Sequence, residues 1–497
     1  MVTFYGCKKK NDDTIIPETV ITENPSTFRE IGTINIGGIG AAEISAYDET
    51  TKRLFVVNNS STNRIEVINV ENPATPTVIG NINLVPYNGA SNSVAVFDGK
   101  LAVALESSLD KQAAGKVVIF NTSTYAEIKQ ITVGSLPDMV TFSPGGKFIL
   151  TANEAEPNDS YLNDPEGTIS IIDVENNYTP VTLNFAAFNN QLASLKASGL
   201  RVFGLANDLV KDIEPEYITI SPDSKTAWVT LQENNAIAKI DIVSKSITTI
   251  FPLGFKDYNL DENTLDVSDQ DGGINFAKWK AKGMFQPDGI CYIESNGIPY
   301  IITANEGDQR EYTGMNEVKR ISNSSVILDP IIFPNAAALK AVTQMGRLNI
   351  TTKLGDTDND GDIDELYSFG ARSFTVWNAN TGALVFDSKN DLDKRAQALA
   401  VYDDVRSDDK GSEPETVVSA KMGLKNILFV ALERADAIMV YDITNPVAPQ
   451  FLQSFKTGDA PEGVLFIPAK NSPNKRSLLI VSSENDGNIK IYQPDLL

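Results

Sequence analysis

The sharpest cluster of chemistry-bearing residues in this sequence is DTDNDGDIDELY, Asp356 to Tyr367. Asp356, Asp358 and Asp360 stand at positions 1, 3 and 5 of an EF-hand-type loop, and Gly361 falls at its sharp turn. Asp362 offers its carbonyl at position 7, Ile363 packs at 8 and Asp364 falls at 9. Alternate acids on a turning backbone bring many oxygens to one centre, which is what a hard divalent cation needs. Calcium is the expected ion, in a structural role that pins a long insertion. Position 12, where such loops carry a bidentate Glu, is Tyr367, so the missing ligand is expected from Asp364 or Glu365. The competing reading is a solvated acidic loop.

A second set of acids recurs along the chain. Glu43, Asp138, Glu216, Asp288, Glu415 and Glu462 each begin an apolar run, while Glu106, Glu154, Glu233, Glu306, Glu433 and Glu484 each close the next one. In an antiparallel meander the start of the first strand and the end of the second share one edge of the sheet. If the first strands line a central channel, these carboxylates converge on one mouth. Like charges held that close do not all stay ionised unless cations intervene. The expectation is therefore a second, channel-bound metal, inward-facing basic partners such as Arg310, Arg372 and Arg434, or raised pKa values. The competing reading has each acid capping backbone N–H groups within its own turn.

The elements that must position these residues are short strands. EPEYITISPDSKTAWVTLQENNAIAKIDI, from Glu214, reads as strand, turn, strand, acid, strand, with Ser221-Pro222-Asp223-Ser224 as the first turn. The grammar returns from Ala42, Pro137, Pro287, Pro414 and Pro461, and more weakly from Asn92, which makes seven copies. Repeats of this kind, about 40–45 residues of short strands, are the signature of a β-propeller. The fold expected is all-β: a seven-bladed β-propeller over residues 27–497, with long loop and helix insertions at about 155–212, 255–286 and 308–412. The last repeat supplies only three strands, so Phe28 to Ile36 is expected to complete that blade and close the ring. Short helices are expected at Phe185 to Gly199 and at Asn335 to Met345. The insertion at 255–286 contains the acidic, glycine-bearing DVSDQDGGINF.

Composition narrows the function classes. With 42 Lys and Arg against 65 Asp and Glu, the formal charge is −23, which repels a phosphate backbone or an anionic lipid surface. No nucleic-acid partner is expected. There is no histidine, so Ser-His-Asp hydrolysis, HExxH proteolysis and histidine phosphotransfer are excluded. The cysteines are Cys7 and Cys291, and the latter lies in an apolar strand where an inert thiol is expected. Residues 1–26 read as a lipobox-like start and tether, with Cys7 as the lipidation site. Gly6-Cys7 and the basic-then-acidic run after it resemble the surface-export tether of bacterial lipoproteins, although Phe4-Tyr5 departs from that pattern and no apolar region precedes it. No run of 18 apolar residues is present, so membrane contact is expected only through such an anchor.

GSLPDMVTFSPGGKFILTANEAEPND, FQPDGICYIESNGIPYIITANEGDQREY, ELYSFGARSFTVWN and SEPETVVSA resemble the choice-of-anchor I family, secreted bacterial propellers carried by varied anchors. The likeness runs from about Glu30 to Tyr492. It implies a seven-bladed extracellular module. Members are often labelled alkaline phosphatase, without catalytic residues that the resemblance assigns. The function expected is a non-catalytic, calcium-binding surface propeller, monomeric, that presents loops to a protein or glycan at the cell envelope or outer membrane. The alternative is a metal-dependent phosphoesterase whose channel carboxylates hold the metal.

Overall fold

The computed structural model describes residues 22–497; Cys7 and most of the expected tether lie outside the described residues. Among the described residues the chain forms seven four-stranded antiparallel sheets, one three-stranded sheet and one two-stranded sheet. The fourth four-stranded sheet shows how the sequence does this. Pro215–Ile220, Thr226–Leu231, Ala236–Asp241 and Ser246–Pro252 pair in chain order. The Ser221 hydroxyl donates to Asp223 at 2.7 Å and accepts the Thr226 N–H at 3.0 Å, so the first turn is closed by its own side chains.

Alternation then gives each sheet two apolar faces. Ile218, Val229 and Ala238 pack against Leu150, Ile169 and Ile171 of the third sheet, while Trp228 and Ile237 pack against Ile301 and Trp377 of the fifth. The same arrangement repeats between every pair of successive sheets. A further cluster, with Leu54 and Val56 facing Leu478, Ile480 and Ile489, joins the seventh sheet to the first. Each fully buried Val, Leu or Ile in these interfaces contributes about 1.5–3 kcal/mol.

The seventh sheet consists of Pro461–Ile467, Leu478–Ser483 and Asn488–Gln493, to which Arg29–Asn35 adds as an antiparallel outer strand. The architecture is propeller-like: a cavity of about 320 Å³ is lined by residues of all seven first strands, among them Ser45, Val94, Val140, Tyr217, Ile290 and Val464. Close approach of these strands needs glycine. A Cβ at Gly289 would sit 2.6 Å from the Glu415 carbonyl, and one at Gly463 would sit 2.4 Å from that of Glu43.

The insertions build a small core of their own. Tyr258, Leu265, Val267, Ile321, Phe333 and Ile350 cluster apart from the seven four-stranded sheets. Phe255–Asp257, Lys282–Met284 and Tyr367–Ser368 form the three-stranded sheet. Within 308–412 the chain returns to the fifth sheet, whose outer strands are Ser373–Asn378 and Leu384–Asp387. The helix expected at 185–199 is a 3-10 turn, Ala186–Gln191, running into Leu192–Ala197, and Gly199 stops it at φ +105°. The helix expected at 335–345 is shorter than its pattern. It is one turn, Ala336–Leu339, because the chain folds back until Gly346 lies where a Cβ would strike the Lys340 carbonyl at 2.2 Å.

Candidate cation sites at the channel mouth and in the acidic loop

The leading acids owe their direction to a repeated local device. Strand register shifts between Pro137 and Met139, Pro215 and Ile218, Pro414 and Val417, and Pro461 and Val464, so Asp138, Glu216, Glu415 and Glu462 all stand on β-bulges. A bulge re-aims a side chain out of the alternating pattern. The residues before three of these prolines, Leu136, Glu413 and Ala460, take φ of +44°, +50° and +55°, and their carbonyls each accept the N–H of a trailing acid at 2.9 Å: Glu154, Glu433 and Glu484. Leading and trailing carboxylates are thereby pinned side by side. The preceding TAN residues help. Asn153 and Asn305 are fully buried and bridge hydroxyls of the next strand, Thr168 and Ser170 in one case, Ser373 and Thr375 in the other.

Two triads result. Asp138, Glu154 and Glu216 each offer an oxygen within 4.8 Å of the others, as do Glu306, Glu413 and Glu433. In the second triad protein cations are already in place. The Lys410 ammonium lies 2.6 Å from Glu306 and 3.1 Å from Glu413; Arg406 donates to Glu413 at 2.8 Å, and Arg434 stands 3.0 Å from Glu433. Burial would raise the Glu413 carboxyl, yet Lys410 and Arg406 outweigh it and hold Glu413 below the usual range. Glu433, between burial and Glu306 on one side and Arg434 on the other, is pushed up to about 7.

Among the described residues the first triad has no such partners. Burial, then Glu156, pushes Asp138 up to about 6, and the nearby Lys111 is spent on an ion pair with Glu156. Glu154 and Glu216 are driven well above the carboxylate range by burial and then by neighbouring acids. Around the rest of the mouth the pattern holds. Asp288, Glu415 and Glu462 are raised by burial and then by Glu306, Glu433 and Glu43 respectively, and Glu43 is pushed up to about 8 by burial and Glu484. Glu106 is raised by burial and shares the Asn92 side chain, which stands where the second sheet has no leading acid.

Beside the mouth lies a buried ion network. Arg310 pairs with Asp212 and, at 2.9 Å, with Glu214; Arg201 pairs with Glu317; and the Phe203 ring lies 4.3 Å from one guanidinium and 4.7 Å from the other. Glu233 adjoins it with one carboxylate oxygen buried and unpartnered. Arg434 thus pairs with one of the trailing acids, Glu433, whereas Arg310 is taken up by Asp212 and Glu214, outside both expected sets, and reaches Glu233 only through its charge. Arg372 pairs with none of these acids, because its guanidinium donates to the backbone carbonyls of Asp266, Ser407 and Asp409.

In the acidic loop, Asp356, Asp358 and Asp360 bring one oxygen each within 4.8 Å of one another. The turn is held by its own acids: Asp356 accepts the N–H groups of Asn359 at 2.7 Å and Gly361 at 3.1 Å, and Gly361 takes φ +99°. Asp362 and Asp364 instead gather with Asp329, which a parallel bridge between Leu328 and Ile363 brings alongside. Asp364 accepts from the Thr357 N–H at 2.7 Å and its hydroxyl at 2.6 Å. One oxygen of Asp362 is buried without a partner. Glu365 is engaged with Lys282 at 2.8 Å and with the Tyr367 hydroxyl, and Tyr367 stacks edge-on against Phe255. The extra carboxylate near the loop is therefore Asp329, not Glu365. The sequence held one signal for it: Asp329-Pro330 is a turn start within reach of a long loop.

Fold and mouth together define a propeller-like all-β module with an acid-lined mouth. The chain belongs to the choice-of-anchor I domain family, whose model matches residues 43–446. It is 27% identical over 182 residues to Gigasin-3a of Magallana gigas, covering 30% of this chain and 64% of that one. It is 24% identical over 333 residues to the Mesenchyme-specific cell surface glycoprotein of Strongylocentrotus purpuratus, covering 56% of this chain and 42% of that one. The match thus spans less than two thirds of either relative. Among solved structures, Kuenenia stuttgartiensis Hydrazine Synthase shares the fold at 12% identity and a TM-score of 0.50, over 92% of this chain and 97% of that one.

Proposed function

We propose that this chain is a non-catalytic, cell-surface calcium-binding module: a seven-bladed propeller, closed by its N-terminal strand, whose insertions engage a protein or glycan partner. The reading rests on the loop at 356–364, where three alternate aspartates converge and a fourth, Asp362, keeps a buried oxygen unpartnered. Calcium bound there would supply charge neutralisation and rigidity to the 308–372 excursion. The family membership and the cell-surface name of one relative support the location. Attachment through lipid on Cys7 at the outer membrane, a monomeric state and the absence of a nucleic-acid partner belong to the same proposal. Thermal melting with chelator and with calcium tests it. A calcium-dependent rise in Tm that disappears in Asp356→Asn/Asp358→Asn is expected, and an unchanged Tm in the wild type overturns the calcium reading. Glycan and peptide arrays then search for the partner.

The uncompensated Asp138, Glu154 and Glu216 triad favours a second reading, a metal-dependent phosphoesterase. These three carboxylates would hold the metal, which would neutralise phosphate charge and lower the pKa of a bound water. Turnover of an aryl phosphate that requires added metal and is lost in Glu154→Gln would replace the non-catalytic reading.

A further inference from the structure

Five of the six leading carboxylates at the channel mouth have no partner within the chain. Among the described residues the side chains of Asp138, Glu216, Asp288, Glu415 and Glu462 form neither a hydrogen bond nor an ion pair, whereas Glu43 accepts from the Asn59 amide at 3.2 Å. Glu216 and Asp288 are only 8% and 7% exposed, and one oxygen of Glu415 is buried outright. Carboxylates this buried are costly to leave unmatched, so five at one rim call for a missing cation.

Contacts between the sheets bring these acids to one rim. Asn59 donates to the Ser91 carbonyl at 2.7 Å and Asn92 to that of Pro137 at 3.4 Å, which joins the first three sheets at this level. Oxygens of Asp138 and Glu216 approach within 4.8 Å, and Gln232 donates to Glu306 at 3.0 Å. The Gly289 N–H then donates to the Glu415 carbonyl at 2.9 Å, the Thr416 hydroxyl donates to that of Glu462 at 2.7 Å, and Gly463 abuts that of Glu43. A cavity begins at this rim. Glu462 and Thr416 line the space of about 320 Å³ between the first strands, whose walls are otherwise chiefly aliphatic: Ala46, Val94, Val140, Ile290, Val418 and Val464. Tyr217 lines it too, with a hydroxyl that makes no hydrogen bond among the described residues.

We propose that the mouth and the cavity together bind a linear aliphatic amine, with its ammonium among Glu216, Asp288, Glu415 and Glu462 and its alkyl chain between the first strands. An ammonium carries three donors that diverge, which suits carboxylates set around an opening, and Tyr217 can meet the same cation with its ring or its oxygen. The aliphatic walls then take the chain. The volume falls at the small end of ligand pockets, roughly 300–1,000 Å³, which fits a short alkyl chain better than an oligosaccharide. A bare metal ion does not match the whole rim. Only Asp138, Glu154 and Glu216 bring oxygens within 4.8 Å of one another there, which leaves Asp288, Glu415 and Glu462 unserved by it. Burial and then neighbouring acids hold all five carboxyls above their usual range, so protons carry part of the compensation until the amine arrives.

Isothermal titration calorimetry of the chelator-treated full chain with the series from ethylamine to pentylamine tests this. Affinity is expected to rise about fourfold for each added methylene, because the cavity buries it. Asp288→Asn/Glu462→Gln, which leaves the Asp138, Glu154 and Glu216 triad intact, is expected to weaken pentylamine at least tenfold. No binding by any amine overturns the proposal, and so does an affinity indifferent to chain length, which would make the mouth a site for any cation. Unchanged affinity in the double variant overturns it as well. The chain-length series uses the wild type alone and decides the matter should that variant not fold. An acetyl-lysine-amide arm assigns the source: tighter binding than pentylamine points to a lysine side chain on a partner protein, weaker binding to a free amine.

Discussion

The two halves of the channel mouth start from the same repeat and reach opposite electrostatic solutions. Glu306, Glu413 and Glu433 are neutralised by Lys410, Arg406 and Arg434, two of which come from the segment between the fifth and sixth sheets. Among the described residues Asp138, Glu154 and Glu216 form no ion pair with a cation, and burial followed by the charge of neighbouring acids raises all three. The repeat supplies the carboxylates; the insertions decide whether each cluster is a finished salt bridge or an open demand for protons or metal. A propeller-like fold can thus keep one half of its mouth structural and the other half available.

The largest effect expected from breaking this contrast lies at Lys410. Lys410→Met leaves Glu306 without its cation and Glu413 with Arg406 and Arg434 only, and chemical denaturation should show a loss of about 3–5 kcal/mol. An equal loss in a variant of the first triad would erase the distinction. Glu216→Gln is expected to do the reverse. Removing a charge from an already crowded cluster should leave the chelated protein as stable or more so, by on the order of 1 kcal/mol, as read from the same denaturation curves.

pH sharpens the comparison further. An acid whose pKa is raised by folding binds its proton more tightly in the native state, so its stabilisation is complete below the unfolded value and fades as pH rises through the folded one. For Glu43 that window runs from its ordinary 4.5 to about 8, and for Asp138 from 3.8 to about 6. The Tm of chelated protein should therefore fall across these ranges, and Glu43→Gln should flatten the upper part. Glu413, whose pKa is lowered, works in the opposite direction and loses its contribution only in acid. A Tm that climbs between pH 6 and 8 contradicts this assignment. The smallest effect is expected of Glu365→Gln, which removes one half-exposed ion pair with Lys282 and should shift stability by less than about 1 kcal/mol while sparing calcium binding.

Much of this was legible in the sequence because strand alternation and turn chemistry are local. An acid at the start of six of the seven copies, next to a proline in five of them, placed the leading carboxylates, and the weaker copy from Asn92 has none. What escaped was long-range. Lys410 sits in an insertion and Glu413 at its edge, with no repeat to fix their direction, and Asp329 is brought to the acidic loop by the bridge between Leu328 and Ile363. Arg372 was misplaced for the same reason: its position beside an apolar strand says nothing about the carbonyls of Asp266, Ser407 and Asp409 that capture it. The short helix at 336–339 fell below its pattern because packing at Gly346 overrode local propensity.

Anomalous diffraction from crystals grown with calcium, then with manganese exchanged for it, tests the account most directly. Density is expected within the 356–364 loop, and none among Glu306, Glu413 and Glu433, where Lys410 already stands. A metal peak inside that second triad, or a loop that stays bare at saturating calcium, would contradict it.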